Sequence, residues 1–224
     1  MKRLDVAIIM DGNRRWAKSN NKPTNEGHKR GAEKLKEVLE WTKEKNCNSL
    51  TIYAFSTENF KRSEEEKEAL FNLFRKFFKE IEEKGIKDNL KIKFLGTFSQ
   101  FPKDIQEIIT SIETQTKENT EYTLQICFGY GGKAEILSAV KKLVQEGIDP
   151  EAITEEVFEE HLYTAIKPDI VIRTGGAIRQ SNFLPWQTTY SEWFYVNTFW
   201  PDFSKDEYDT IFSQYIERQR RFGV

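Results

Sequence analysis

Val6-Ala7-Ile8-Ile9-Met10-Asp11-Gly12-Asn13-Arg14-Arg15-Trp16 is an apolar run that passes without a break into a carboxylate, a glycine and two arginines. An unbroken apolar stretch of this length bounded by polar residues is what a strand buried on both faces looks like, and such strands belong to parallel sheets. Short β-branched runs recur at residues 49–55, 90–95, 122–128, 169–173 and 193–196, with helical patterns between most of them. That alternation predicts an α/β fold: a single domain over residues 1–224 with a mostly parallel six-stranded sheet flanked by helices.

The helices are read from spacing and caps. Leu70, Leu73, Phe74, Phe77, Phe78 and Ile81 fall on one face of a helix expected over 64–84, opened by a Ser63/Glu66 capping box and closed by Gly85. Further helices are expected over 29–45, over 102–117 with Ile105, Ile108, Ile109 and Ile112 in register, and over 133–145. A last one is expected from a Ser204 cap with Glu207 as its partner to Arg218, Arg220 and Arg221, whose charges suit a helix C-terminus.

A chain of 224 residues can bury one sizeable core. Its 34 Lys and Arg nearly cancel 36 Asp and Glu, which argues against a broad nucleic-acid surface and leaves any phosphate to be bound locally. Cys47 and Cys127 belong to no Cys-x-x-Cys or Cys/His cluster and are read as reduced thiols of a cytoplasmic protein. The N-terminus lacks an apolar signal core, and no apolar stretch approaches the roughly 20 residues of a membrane helix, so neither leader nor transmembrane segment is expected.

In parallel α/β sheets ligands bind beyond the carboxyl ends of the strands, where helix N-termini attract anions. Three of the predicted strand ends carry arginine together with small polar groups. They are Asp11 to Trp16, Ser56-Thr57-Glu58-Asn59-Phe60-Lys61-Arg62, and Arg173-Thr174-Gly175-Gly176 followed by Arg179-Gln180-Ser181-Asn182. A carboxylate among arginines is either a structural salt bridge or, beside a phosphate cradle, a ligand for Mg²⁺ shared with phosphate oxygens. The arginines suit bidentate phosphate contacts. His28 reads as a helix-start residue or a phosphate donor, and the Ser56 and Gly175-Gly176 loops as capping and solvated loops or as binding loops. A fourth strand end, Gly129-Tyr130-Gly131-Gly132-Lys133-Ala134, formally matches G-x-G-x-x-A but follows the fourth strand rather than the first, and reads as a tight strand-to-helix turn.

With these residues in order, the chain resembles the cis-isoprenyl transferases, such as bacterial undecaprenyl diphosphate synthase. The resemblance rests on Met10 to Ala17, Gly27-His28, Tyr53 to Phe60 with Arg62, Asp169 to Gly176, Ser181-Asn182-Phe183 through Trp200-Pro201-Asp202-Phe203, and the ending Arg220-Arg221-Phe222-Gly223. It implies a homodimer with a hydrophobic tunnel that joins isopentenyl diphosphate to an allylic diphosphate, expected to be farnesyl diphosphate. The product would be a long cis-polyprenyl chain, undecaprenyl diphosphate for a cell-wall lipid carrier, with a peripheral membrane contact for its release. By the same resemblance Asp11 is essential and shares Mg²⁺ with Glu192. Gly12, Asn13, Arg14, Arg15, Trp16 and His28 would serve the allylic diphosphate, and Arg173, Arg179, Gln180 and Ser181 the isopentenyl diphosphate. Ser56, Thr57, Glu58, Phe60 and Arg62 would complete the substrate loop. Asn59 is the family's nominal proton acceptor, although a neutral carboxamide is a poor base and is better suited to orienting substrate.

The Phe-rich helix would then form a tunnel wall as well as core. Thr24 stands where the family often has an arginine, and Ala177 and Ile178 where it often has Glu and His. The absence of adjacent aspartates disfavours a trans-prenyltransferase. A non-catalytic partner subunit and a dinucleotide-dependent oxidoreductase are the remaining alternatives.

Overall fold

The computed structural model describes residues 3–218. In chain order its elements are β1 (Asp5–Ile9), α1 (Asn13–Ser19), α2 (Thr24–Glu44), β2 (Ser49–Ser56), α3 (Glu64–Lys87), β3 (Leu90–Leu95), α4 (Lys103–Thr116) and β4 (Tyr122–Tyr130), and then α5 (Gly132–Gln145), α6 (Glu155–Glu160), β5 (Ile170–Arg173), β6 (Glu192–Tyr195) and α7 (Lys205–Glu217). Short 3₁₀ turns occupy Thr57–Lys61, Pro150–Ala152 and Trp200–Asp202. The strands form one six-stranded sheet in the order β3-β4-β2-β1-β5-β6, parallel at every pairing.

The inner strands β1, β2, β4 and β5 are covered on both faces and are buried along nearly their whole length, whereas β3 at the edge alternates, with Lys91 and Lys93 exposed. Val6 and Ile8 of β1, Leu50 and Ile52 of β2, and Ile170 and Ile172 of β5 pack into the larger core with α2, α3, α4 and α7. Ala7, Ile9 and Val171 point the other way, toward Cys127, Tyr130, Phe183 and Leu184. Both cysteines are buried and free, and burial, with Asp5 close by, pushes the Cys47 thiol up to about 12.

The strand order creates the site. The chain leaves β1 toward β2 on one side and later returns to place β5 on the other, so the crevice beyond the carboxyl end of β1 lies at a topological switch. Ile9 pairs with Arg173 across this crevice, which brings Asp11 and Arg173 to the same end of the sheet.

Several boundaries differ from the sequence reading. α1 is a helix that the sequence reading does not include, because its seven residues are mostly polar and only Trp16 and Ala17 are buried. α2 begins at Thr24 after Pro23, so His28 lies inside the helix rather than at its start. α3 continues past Gly85 to Lys87 and is closed by the Asp88 N–H on the Lys84 carbonyl. Gly85 is buried there, where a Cβ would come within 2.7 Å of Ile92 Cδ1, so it serves close packing on β3 rather than termination. Ser63 accepts from the Glu66 N–H as expected, but the Glu66 carboxylate turns to Arg14 at 3.5 Å. The Ser204/Glu207 box at α7 is complete. Arg218 follows that helix and pairs with Glu192, whereas Arg220, Arg221, Phe222 and Gly223 lie outside the described residues.

Candidate active site

Asp11 is fixed through its backbone before its side chain does anything. Its carbonyl accepts from Thr174 Oγ1 at 2.7 Å and from the Trp200 N–H at 3.0 Å, tying the end of β1 to the segments after β5 and β6. Its carboxylate accepts from Arg15 Nη2 at 3.0 Å and from Arg173 Nη2 at 2.9 Å. The Arg173 side chain is only 4% exposed. Its Nη1 donates to the Arg179 carbonyl at 2.5 Å and to Ser181 Oγ at 2.6 Å, while its buried Nε has no partner. Arg15 donates through Nη1 to the Gly175 carbonyl at 2.6 Å. The salt-bridge reading of Asp11 is therefore realised in this structure. The unpartnered Arg173 donor is what an incoming anion would satisfy.

Farther along the mouth the cations are less fully matched: Arg14 meets Glu66 only at 3.5 Å, and Arg62 makes no ion pair among the described residues. Arg14, Arg15, Lys18, Lys22, His28 and Arg62 surround a cleft of about 730 Å³, with Asp11, Gly12, Asn13 and Thr24 also in its wall. Burial, then the charges of Arg62 and Arg14, drive the His28 imidazole down to about 4, so it is neutral at pH 7. Burial and Arg14 likewise lower the Arg62 guanidinium, against a weaker opposing pull from Glu66. Lys18 and Lys22 were not singled out by the sequence reading. They stand with Thr24 in the cleft wall and add positive charge there.

Beyond this mouth lies a cavity of about 300 Å³. Asp11, His28, Ser56, Asn59, Arg62 and Arg173 give it polar wall, and Leu35, Ile52, Ile126 and one face of α3 give it apolar wall. From α3 it takes Leu70, Leu73, Phe74, Phe77 and Phe78, whereas Ile81 is core alone. The pairing of β2 with β4 is irregular between Tyr53 and Ser56, and Tyr53 and Ala54 both reach the cavity there.

The loop after β2 is held by its own side chains. Ser56 and Asn59 cap it reciprocally, with Asn59 Oδ1 accepting from the Ser56 N–H at 3.1 Å. That commits the carboxamide oxygen to the backbone and leaves Asn59 an amide donor. Phe60 packs on Phe55 and Phe101, and a Cβ on Gly131 would meet Thr57 Oγ1. Burial pushes the Glu58 carboxyl up, but its own N–H and the Ser56, Asn182 and Thr57 side chains donate to it and hold it below the ordinary range.

Three expected residues lie elsewhere. Trp16 is buried with its indole N–H on Asp202 Oδ1 at 2.8 Å, so it anchors α1 rather than lining the cleft. Gln180 is exposed and contributes its carbonyl to the Phe183 N–H. Glu192 is the first residue of β6 and pairs with Ile170, the first of β5, so within the chain it sits at the far end of the sheet from Asp11. There its carboxylate meets Arg218 at 2.6 Å. Among the described residues no group of three or more His, Cys, Asp or Glu converges on a metal position. Asp11 beside these arginine donors would suit a hard cation that draws most of its ligands from phosphate.

A family model described as putative undecaprenyl diphosphate synthase matches residues 9–223. The chain belongs to that family. It is 46% identical over 226 residues to a geranylgeranyl-diphosphate-specific tritrans,polycis-undecaprenyl-diphosphate synthase of Thermococcus kodakarensis, covering 97% of this chain and 86% of that one. It is 42% identical over 219 residues to an isoprenyl transferase of Fusobacterium nucleatum, covering 97% and 94%. The crystal structure of lavandulyl diphosphate synthase from Lavandula x intermedia, in complex with dimethylallyl diphosphate, superposes with a TM-score of 0.93 at 31% identity over 98% of both chains. The chain is an isoprenyl transferase of the cis type, and its two arginine-bearing loops stand at the two sides of the Asp11 crevice.

Proposed function

We propose that this enzyme condenses isopentenyl diphosphate onto an allylic diphosphate to build a long cis-polyprenyl diphosphate, and that the allylic starter is geranylgeranyl diphosphate. The observation that carries the reading is the position of the Asp11–Arg15–Arg173 cluster, at the switch point and directly over an apolar cavity. The sequence alone suggested farnesyl diphosphate and an undecaprenyl product. The geranylgeranyl-diphosphate specificity of the Thermococcus relative makes the longer starter the better supported one.

The allylic diphosphate occupies the cleft of Arg14, Arg15, His28 and Arg62, where an anion relieves the crowding of cations. Isopentenyl diphosphate lies on Arg173, Arg179 and Ser181, satisfying the buried Nε of Arg173. Mg²⁺ bound to Asp11 and diphosphate oxygens would stabilise the charge that develops as the allylic C–O bond breaks. The arginines act on the same charge from fixed positions, which is where preorganised electrostatics is strongest. The homoallylic alkene attacks the allylic C1, the departing diphosphate takes the C–O electron pair, and loss of a proton leaves the new double bond. Asn59 orients the reacting diphosphate by donation, and a diphosphate oxygen receives the proton more readily than a carboxamide.

Each methylene withdrawn from water gains about 0.8 kcal/mol. The apolar wall given by α3 supports a tunnel that shelters the growing chain. Leu137, Val140 and Val144 form an exposed apolar stripe along α5, which supports the homodimer reading. No helix among the described residues is long and apolar enough to cross a membrane, which accords with a cytoplasmic enzyme whose membrane contact is peripheral.

The test is incubation of the purified protein with labelled isopentenyl diphosphate, Mg²⁺ and either geranylgeranyl or farnesyl diphosphate, followed by chain-length analysis of the extract. Labelled polyprenyl product with preference for geranylgeranyl diphosphate is expected. No extractable product with either starter overturns the reading, and a preference for farnesyl diphosphate overturns the choice of starter.

A further inference from the structure

Three strand-end loops meet at Asn182, a half-buried side chain that the reaction as described does not use. Its backbone is left-handed, with φ 63°, a conformation that asparagine tolerates better than most residues. Its Oδ1 accepts from the Lys133 N–H at 2.9 Å, and its main-chain carbonyl accepts from the Gly132 N–H at 2.9 Å. Its Nδ2 faces Glu58 Oε1 at 3.4 Å. The adjacent Ser181 and nearby Arg179 are the groups that hold Arg173.

The surroundings fit this one residue closely. A Cβ on Gly131 would lie 2.9 Å from Asn182 Nδ2, and one on Gly132 would lie 3.1 Å from its carbonyl oxygen. The first N–H groups of α5 are thus engaged by Asn182. The glycine-rich turn that formally resembles a dinucleotide fingerprint seats this loop, and two of its amides, those of Gly132 and Lys133, are already engaged by Asn182.

We infer that Asn182 is a positioning residue for prenyl transfer. Bound to the rigid start of α5, it holds the loop of residues 173–181 in register with the loop that carries Glu58 and Asn59. This rests on the reading that residues 173–181 receive isopentenyl diphosphate. Asn182 itself need not touch substrate, because displacing a reacting group by about 1 Å is enough to cost on the order of a hundredfold in rate.

Asn182→Gly tests the idea, since glycine keeps the left-handed backbone and the carbonyl bond to Gly132 while deleting both side-chain bonds. The expected result is a KM for isopentenyl diphosphate raised about tenfold and a kcat lowered about tenfold or more, with KM for the allylic starter unchanged. Asn182→Asp sets two carboxylates against each other and is expected to be impaired as well. Adding Glu58→Gln to it restores a donor and acceptor in exchanged positions, and the double variant is expected to recover the isopentenyl diphosphate KM of the Glu58→Gln single variant. An unchanged isopentenyl diphosphate KM in Asn182→Gly overturns the inference. So does a loss that scales only with the folded fraction, or a double variant no better than Asn182→Asp. If the wild type makes no product from any starter, the functional reading fails with it, whereas failure of the inference alone appears only in the variants.

Discussion

Around Asp11 the charges are matched within the protein, but around His28, farther along the same mouth, cations confront cations. Arg15 and Arg173 both donate to the Asp11 carboxylate, and Arg173 is pinned further by Arg179 and Ser181. Arg62, by contrast, makes no ion pair among the described residues, and it and Arg14 depress His28 after burial has already done so. One wall is organised before ligand arrives, and the other is relieved by it. Such a division suits an enzyme that must grip one diphosphate and break the bond to another. The matched wall sets geometry at low reorganisation cost, and the unmatched wall makes binding of an anion favourable.

Breaking the matched wall should have the largest effect. Asp11→Asn retains an oxygen that can accept from one arginine, so the fold is expected to persist, but the negative charge is gone. Turnover is expected to fall about a thousandfold, the upper range for loss of one electrostatic group at a reacting centre. Steady-state assays with matched circular dichroism check this. Activity within tenfold of wild type would mean that Asp11 is a structural partner of the arginines and little more.

The unmatched wall should respond differently, because there the ligand-free protein gains when a charge is removed. Arg62→Gln is expected to raise KM for the allylic diphosphate tenfold to about a hundredfold, as loss of a charged hydrogen bond does. The melting temperature of the free protein should stay level or rise, by about 2–4 °C if close to 1 kcal/mol is recovered. A melting temperature several degrees lower would show that Arg62 holds the loop after β2 in place, and the contrast between the walls would fail.

These two walls also differ in how far the sequence displayed them. Asp11 and Arg173 were legible because each ends an apolar strand, and parallel strands bring their carboxyl ends together whatever the details of packing. Glu192 stands at the start of β6, so within the chain the same rule places it at the opposite end of the sheet from Asp11. The placement of Trp16 is not displayed by sequence: its position beside Arg15 says nothing of the helix that turns it onto Asp202. The cationic crowd was only partly visible, since Lys18 and Lys22 enter the cleft through the short polar helix α1 that carries no strong periodicity. Asn182 was visible as a motif residue but not as a clamp, because its partners Lys133 and Glu58 are remote in sequence and reach it only through the strand order.

The smallest effect follows from His28 itself and is read as a slope. With the folded imidazole near 4 and an unfolded one near 6.5, the unfolded chain binds more protons between those values. Stability of the free enzyme therefore rises with pH through that window, and the penalty is complete below about 4 and absent above about 6.5. One proton contributes at most about 1.4 kcal/mol per pH unit. Carboxylates and His161 titrate as well, so the quantity to measure is the difference between wild type and His28→Gln in urea unfolding from pH 7 to pH 4. The variant is expected to lose less stability on acidification. Saturating allylic diphosphate should shrink the difference in part, because an anion between Arg14, Arg62 and His28 offsets the repulsion that these arginines add to the effect of burial. Parallel curves for wild type and variant would mean that neither burial nor the two arginines depresses His28, and a difference that allylic diphosphate leaves untouched would assign the shift to burial alone and reduce the cationic wall to Arg14 and Arg62.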